Sequence, residues 1–473
     1  MTELHPLVNR LRAHIDSTGI IPNDLLGLVG YSGGADSTFL VHALHQLGIN
    51  IVAGHLHHGQ RAEADEEMRK CEEFCNSIGV PFASGNADVP LLSKEAKIGI
   101  EEAGRRARYD FFHRASRRLN AEWIATAHTL DDQIETVLLN LTRGTGLSGL
   151  AGIPPERENI VRPILWASRK ETRDYCIEQG LWFHDDPANS DPSYSRSRIR
   201  MNVVPELLEI NASLGQSVSR LTDTVRQEDA FLDHIAAGML ERCESNRNGR
   251  LSFVSERYEA VFQCEALRHH PSALLRRGLR LATAVVGSNL DYDQTILLEK
   301  AILVPQSGSI TTEGGVACIE WNEKEVNFYR NDAPSIGRTL LENPGITTSD
   351  SLGWQFTTSS VEHSQFQRER ADLSAVIDSD CVKGRLFCRG MKPGDAFQPL
   401  GMKGTKKVSD LFNEAGLSPM ARKLLPIVFD MVGIIWIPGV AMGERVKITG
   451  STTSAIELKF GSVYPRSIPF SET

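Results

Sequence analysis

Four short apolar runs, Leu25–Tyr31, Ile51–Leu56, Trp123–Ala127 and the weaker Ile160–Leu165, are spaced along the first part of the chain. Between the first three lie stretches whose apolar residues recur at helical spacing: Ser37–Leu47, Ala64–Ile78 and Ile100–Leu119. Strands alternating with helices predict a parallel α/β sheet, whose neighbouring strands need a crossover long enough to hold a helix. Such sheets place ligands at the carboxyl ends of their strands. Ser32, His57 and His128 each follow a predicted strand, so three polar clusters converge on one rim.

Farther along, Leu221, Val225, Leu232, Ile235 and Met239 mark a long helix that opens a mostly helical region with a β-rich end. The polar stretch Asp332–Asp372, with a short strand expected at Trp354–Thr357, reads as a connector or irregular domain edge. Beyond it, Gly- and Pro-containing turns and the runs Ile434–Ile437, Arg445–Ile448 and Ala455–Leu458 predict a small β-containing domain. The expected organisation is an α/β domain at 1–215, a mostly helical middle domain at 216–335, a connector at 336–375 and a C-terminal domain at 376–473.

A chain of 473 residues exceeds one compact core, and 41% apolar with 23% charged residues describes a folded globular protein. No apolar run approaches the roughly 20 residues that span a bilayer, so no membrane partner is expected. The N-terminal Met1-Thr2-Glu3-Leu4-His5-Pro6 lacks the basic-then-apolar pattern of a signal peptide. Eight cysteines form no disulfide framework, which predicts a reducing cytoplasm. Cys71 and Cys75 share a helix face but nothing nearby completes a zinc site, so they read as core or surface thiols. The net charge of −9 argues mildly against nucleic acid, but phosphate contacts need only a local basic patch.

The first predicted strand runs into Ser32-Gly33-Gly34-Ala35-Asp36-Ser37, and a helix follows. Two glycines allow a sharp turn with successive amides exposed, and the helix N-terminus adds partial positive charge. Ser32 and Ser37 offer hydroxyls, and Ser37 is also a candidate cap. The plainer alternative is a Gly-Gly turn with a capped helix. The loop is not a Walker A motif, since no Gly-Lys-Ser/Thr follows. It resembles the Ser-Gly-Gly-x-Asp-Ser signature of PP-loop ATP pyrophosphatases, which activate a substrate by adenylation and release pyrophosphate.

On one helix, His128, Asp131, Asp132 and Glu135 would share a face, with Leu130, Ile134, Val137, Leu138 and Leu141 turned to the core. Acidic residues favour a first helical turn, which accounts for Asp131 and Asp132 better than for Glu135. Carboxylates beside a triphosphate require an intervening cation, either Mg²⁺ or a substrate ammonium. The Gly-rich stretch Arg143–Leu150 that leaves this helix is a candidate substrate loop.

Glu101, Arg105, Arg106, Arg108, Arg114, Arg117 and Arg118 decorate one predicted helix, a pattern that alone suits a solvated face. Arg196, Arg198 and Arg200 with Tyr194 nearby suit RNA or phosphate contact better than core packing. From Lys383 to Lys423 nine basic residues face three acidic ones, a local balance of +6 that the whole-chain charge hides.

Gly54–Arg61, Glu101–Tyr109, Ala125–Ile153 and Asp185–Pro205 fall in the order seen in tRNA(Ile)-lysidine synthetases, which the chain resembles over nearly its whole length. Lys392–Gly401, running on through Lys406–Phe412, is similar to that family's C-terminal domain. Ser197 stands where the family usually has Asn, and Gln60 where it usually has Leu. The resemblance implies ATP-dependent adenylation of a cytidine at the first anticodon position of a CAU-anticodon tRNA(Ile). Free L-lysine then displaces AMP to give lysidine, which changes the codon read from AUG to AUA.

Under that reading Ser32, Gly33, Gly34, Ala35, Asp36, Ser37 and His57 bind ATP, and Asp36 helps to place Mg²⁺. Asp132, Glu135 and His128 bind lysine, whose amine (pKa about 10.4) needs counter-charge and a base at neutral pH. Asp36, Asp132, Glu135, Arg105 and Arg200 are the expected catalytic residues. Arg108, Arg196, Arg198, Arg389, Lys403, Lys406 and Lys407 are expected to contact tRNA. Such folds are also compatible with a homodimer.

Overall fold

A computed structural model describes residues 4–22, 24–57, 64–185, 194–245, 248–361 and 373–464. The chain divides into two compact units, Met1–Ala230 and Phe231–Thr473.

The first unit alternates strands and helices in the predicted order. Its elements are α1 (Pro6–Thr18), β1 (Gly27–Gly30), α2 (Ala35–Gln46), β2 (Ile51–His57), α3 (Ala64–Ile78) and β3 (Phe82–Asn86). Then follow α4 (Val89–Ala96), α5 (Ile100–Leu119), β4 (Trp123–Ala125), α6 (Leu130–Arg143), α7 (Leu147–Leu150), β5 (Glu156–Arg157), β6 (Ile160–Val161) and α8 (Arg169–Glu178). The strand order is β3-β2-β1-β4-β6-β5, parallel except for the β5–β6 hairpin.

The connection from β1 runs outward to β2, and the chain later crosses back to β4 on the other side of β1. That reversal opens a crevice at the carboxyl ends of β1 and β4, where an open α/β sheet binds its ligands. Apolar cores cover both faces of the sheet. One is built from α1, α2, α3 and α8 with Phe39, Leu40, Leu44 and Tyr175 at its centre. The other is built on α4 and α5 with Phe111 and Phe112. Phe112 approaches so closely that a Cβ at Gly30 would lie 2.6 Å from its ring, so glycine is needed there for space.

The unit ends on α9 (Ser195–Arg198), a π-helical turn at Ile199–Val203, α10 (Val204–Ile210) and the start of α11 (Leu214–Cys243). Val218 of α11 packs on Ile134 and Val137 of α6. Of the apolar positions that marked α11, Val225 and Met239 are buried, whereas Leu221, Leu232 and Ile235 are exposed.

In the second unit, helices Ser272–Val285 and Tyr292–Leu303 pack on a four-stranded antiparallel sheet. The region expected as a connector supplies strands Gly345–Ser349 and Trp354–Val361, and the latter pairs along its whole length with Ala455–Ser462. The expected run at Arg445–Ile448 is not a strand; Glu444–Val446 forms a 3₁₀ turn, and the Arg445 guanidinium binds the buried Asp430 (2.8 Å). Two short helices, Val408–Glu414 and Pro419–Leu424, pack with the strands around Phe412, Ile435 and Trp436. Among the described residues no helix is long and apolar enough to cross a membrane.

Candidate active site

The phosphate loop leaves β1 at Tyr31 and enters α2 at Ala35, two residues before the predicted start. Gly34 is therefore the N-cap, and Ser37 lies inside the first turn instead of capping it. Its hydroxyl ties the loop together by donating to the Gly34 carbonyl (3.0 Å) and accepting from the Ser32 amide (3.2 Å). The first-turn amides of Ala35, Asp36 and Ser37 have no intrahelical acceptor, as at any helix start, and are left for an anion.

Gly33 has φ +83°, and a Cβ there would meet the His184 ring at 2.8 Å and Cys71 Sγ at 2.9 Å. Its carbonyl accepts from the His184 amide (3.0 Å). Gly33→Ala thus adds about 1–2 kcal/mol of backbone strain to a clash. ATP affinity, measured by titration calorimetry, is expected to fall about tenfold or more.

Across the crevice, the chain after β4 does not begin α6 at His128. Thr129 is the N-cap, so His128 stands before the helix and not on the acidic face. The Thr129 amide and hydroxyl donate to Asp132 Oδ2 (2.8 and 3.0 Å), which gives Asp132 a capping task. His128 Nδ1 shares a hydrogen bond with Thr126 Oγ1 (2.9 Å). Burial, reinforced by Arg162, Arg196 and Arg108, lowers the His128 pKa to about 4 against the pull of Asp132, so the ring is neutral at pH 7. The apolar side of α6 is narrower than expected: Ile134 and Val137 are buried, Leu141 is exposed, and Glu135 is 1% exposed.

The carboxylates face arginines. Glu135 Oε1 accepts from Arg169 Nη1 (2.6 Å) and Arg200 Nε (2.7 Å). Its Oε2 accepts from Arg196 Nε (2.8 Å) and Arg200 Nη2 (3.1 Å). Asp132 Oδ1 accepts from Arg169 Nη2 and Arg196 Nη2, the latter at 3.4 Å. Asp131 Oδ2 accepts the backbone amide of Arg169 (2.8 Å) and so fixes the start of α8. Burial acts to raise the pKa of Asp132 and Glu135, but the guanidiniums outweigh it and hold both below the usual carboxylate range.

Asp36 sits opposite, in the first turn of α2. Thr172 donates a hydrogen bond to its Oδ1, and Arg169 Nε lies 3.9 Å from its Oδ2. Burial, with Asp132 and Asp131 adding repulsion, raises its pKa to about 6 despite Thr172 and Arg169. Cys71 and Cys75 are buried free thiols, and burial pushes each up to about 12.

The remaining predicted residues divide. His57 closes β2 with Nε2 3.3 Å from Asp65 of α3. Arg105 and Arg108 stand on the exposed side of α5, with Arg105 5.4 Å from the Tyr109 ring. Among the described residues neither forms an ion pair. Arg196 and Arg200, one helical turn apart, both reach Glu135, whereas Arg198 between them is exposed. His58–Arg61, including Gln60, and Asp191–Ser193 lie outside the described residues.

In the second unit Arg389 is engaged by Asp395 through two 2.8 Å bonds, and Lys406 by Glu414. Lys403 and Lys407 are exposed and without an ion pair among the described residues.

Three site residues escaped the sequence reading: Arg169, Thr172 and Arg162. Arg162 is 5% exposed and has no ion pair among the described residues; its Nη1 donates to the Pro154 carbonyl (2.8 Å). A signal for Arg169 existed. Ser168-Arg169-Lys170-Glu171 is a capping box just past a strand, so the helix start and its first side chain belong to the rim.

The chain is similar in sequence to known proteins. Residues 15–207 match the PP-loop domain family, and residues 386–458 match the TilS substrate C-terminal domain. A tRNA(Ile)-lysidine synthase of Clostridium tetani is 31% identical over 91% of this chain and 93% of its own length. The chain belongs to the tRNA(Ile)-lysidine synthase family. A tRNA(Ile)-lysidine synthase of Geobacter sulfurreducens is 30% identical over 96% of this chain and 98% of its own length, so the likeness spans both units. Membership of the tRNA(Ile)-lysidine synthase family makes the chain an enzyme with an ATP-using PP-loop domain.

Proposed function

We propose that the chain joins free L-lysine to carbon 2 of the cytidine at the first anticodon position of a CAU-anticodon tRNA(Ile), at the cost of one ATP. The observation that carries this reading is the crevice between β1 and β4, where the Ser32–Ser37 cradle and the carboxylates of α6 meet.

In the first step the base oxygen on carbon 2 attacks the α-phosphorus of ATP, and the bond to pyrophosphate breaks. In the second, the lysine side-chain nitrogen attacks carbon 2, the carbon–oxygen bond breaks, and AMP leaves with its electron pair. The ammonium must first lose its proton to solvent; Asp132 and Glu135 supply counter-charge to it, and His128, held neutral by burial, adds no competing cation. The product lysidine changes decoding from AUG to AUA.

Asp36 is the residue that would hold Mg²⁺, whose charge would offset that of the phosphates. Among the described residues no three acidic, His or Cys side chains gather at one point. That suits Mg²⁺, which takes one or two carboxylates and otherwise phosphate oxygens and water. The sulfur-transferring alternative fits less well: a sulfur relay needs a thiolate, and Cys71, although close beneath Gly33, is held protonated by burial.

The test is lysine incorporation into tRNA by the purified chain with ATP, Mg²⁺, radiolabelled lysine and total bacterial tRNA. AMP and pyrophosphate release with labelled tRNA(Ile) is expected; sulfur transfer, or no incorporation, would refute the reading. The basic C-terminal surface is proposed to grip the tRNA through exposed Lys403 and Lys407 more than through the paired Lys406 and Arg389. Lys403→Ala/Lys407→Ala is expected to weaken tRNA binding and flatten the dependence of log K on log salt by about two, one per lost phosphate contact. Filter binding at several salt concentrations measures both. A cytoplasmic location and a homodimer complete the proposal.

A further inference from the structure

The proposed amine site is full. Each carboxylate offers about four lone-pair positions. All those of Glu135 are taken by Arg169, Arg196 and Arg200. Those of Asp132 are taken by Thr129 on one oxygen and by Arg169 and Arg196 on the other. A guanidinium does not deprotonate, so an incoming ammonium can gain acceptors only if an arginine moves.

Of the three arginines, only Arg169 also reaches the phosphate side. Its Nε is 3.9 Å from Asp36, in the first turn of the helix that closes the anion cradle. Its backbone is pinned, with the amide on Asp131 and the helix start capped by Ser168 and Glu171. What can move is the side chain, and a polyphosphate beside Asp36 is a stronger attractor for a guanidinium than two shared carboxylates.

We propose that Arg169 is a positioning residue shared by two substrates: it closes the amine-binding carboxylates until phosphates in the cradle draw its guanidinium away, so nucleotide and lysine bind with positive coupling. This rests on the amine site assigned under Proposed function. The exchange leaves the charge at the carboxylates unchanged and adds one positive charge at the phosphates. The ammonium replaces a guanidinium at Asp132 and Glu135, and the guanidinium joins the phosphates. Lysine arriving first would instead meet a like charge in its own pocket.

Equilibrium dialysis of radiolabelled lysine against the full chain tests this, with and without α,β-methylene-ATP and Mg²⁺. The analogue is expected to tighten lysine binding about tenfold, and lysine to tighten analogue binding by the same factor, since coupling is reciprocal. Arg169→Met is expected to bind lysine without nucleotide as tightly as the unaltered chain does with it, and to retain less than about twofold coupling. The measurement on the unaltered chain decides the matter even if the variant does not fold. Lysine incorporation into tRNA without any coupling overturns this inference alone. So does a folded Arg169→Met chain that binds lysine more weakly than the unaltered chain. Absence of both lysine binding and incorporation removes the inference together with the reading beneath it.

Discussion

Glu135→Gln is expected to cost about 3–5 kcal/mol of stability, the usual result of removing one partner from a buried ion cluster. The side chain is nearly inaccessible and holds three guanidiniums through four hydrogen bonds. A neutral amide leaves those cations close together, with Asp132 and, beside Arg169, Asp36 as their remaining counter-charges. Urea unfolding should show the loss as a lower midpoint, and lysine incorporation should fall by at least about 10²-fold. The pH dependence carries a further signature. The Glu135 pKa is held below its ordinary value, so its stabilisation is full above the unfolded carboxylate's pKa of about 4.3 and lost as pH falls below that. The variant should therefore lose most stability at neutral pH and little near pH 3. An unchanged midpoint at pH 7 would show that the arginines do not depend on Glu135.

Asp36→Asn should have the opposite effect on stability. With a folded pKa near 6 and an unfolded value near 3.9, the folded chain binds the extra proton between those two points. Stability contributed by this group is present at low pH, declines as pH rises through the window, and is fully lost above it. Asparagine escapes that penalty, so the variant should melt at a higher temperature than the unaltered chain at pH 8 and at a similar one at pH 4. Pyrophosphate release should nonetheless fall by about 10²–10³-fold, the scale of losing one main electrostatic group at the reacting phosphates. In the unaltered chain, kcat/KM, which reports groups of the free enzyme, should rise with pH through about 6 as Asp36 ionises. A variant less stable at pH 8 would show that Asp36 is structural instead.

Sequence by itself determined the α/β alternation and the loop at Ser32–Ser37, because strand and helix periodicity and a Gly-Gly turn are local properties. It also placed Asp132 and Glu135 on one helix and located the C-terminal basic surface. It put His128 on that helix because spacing alone cannot reveal that Thr129 and Asp132 close a cap one residue later. It left Trp354–Val361 mostly in a connector because the partner, Ala455–Ser462, is about a hundred residues away. What only the tertiary structure decided is how the site's charges are paired. Arg169 meets Glu135 across 34 residues, and Thr172 meets Asp36 across 136. Arg196, expected to contact tRNA, and Arg200, expected to be catalytic, both turn inward to the same carboxylate. An arginine's sequence gives its charge but not its counter-ion. That choice depends on which buried carboxylate the folded backbone brings within reach, and burial makes leaving it unpaired too costly.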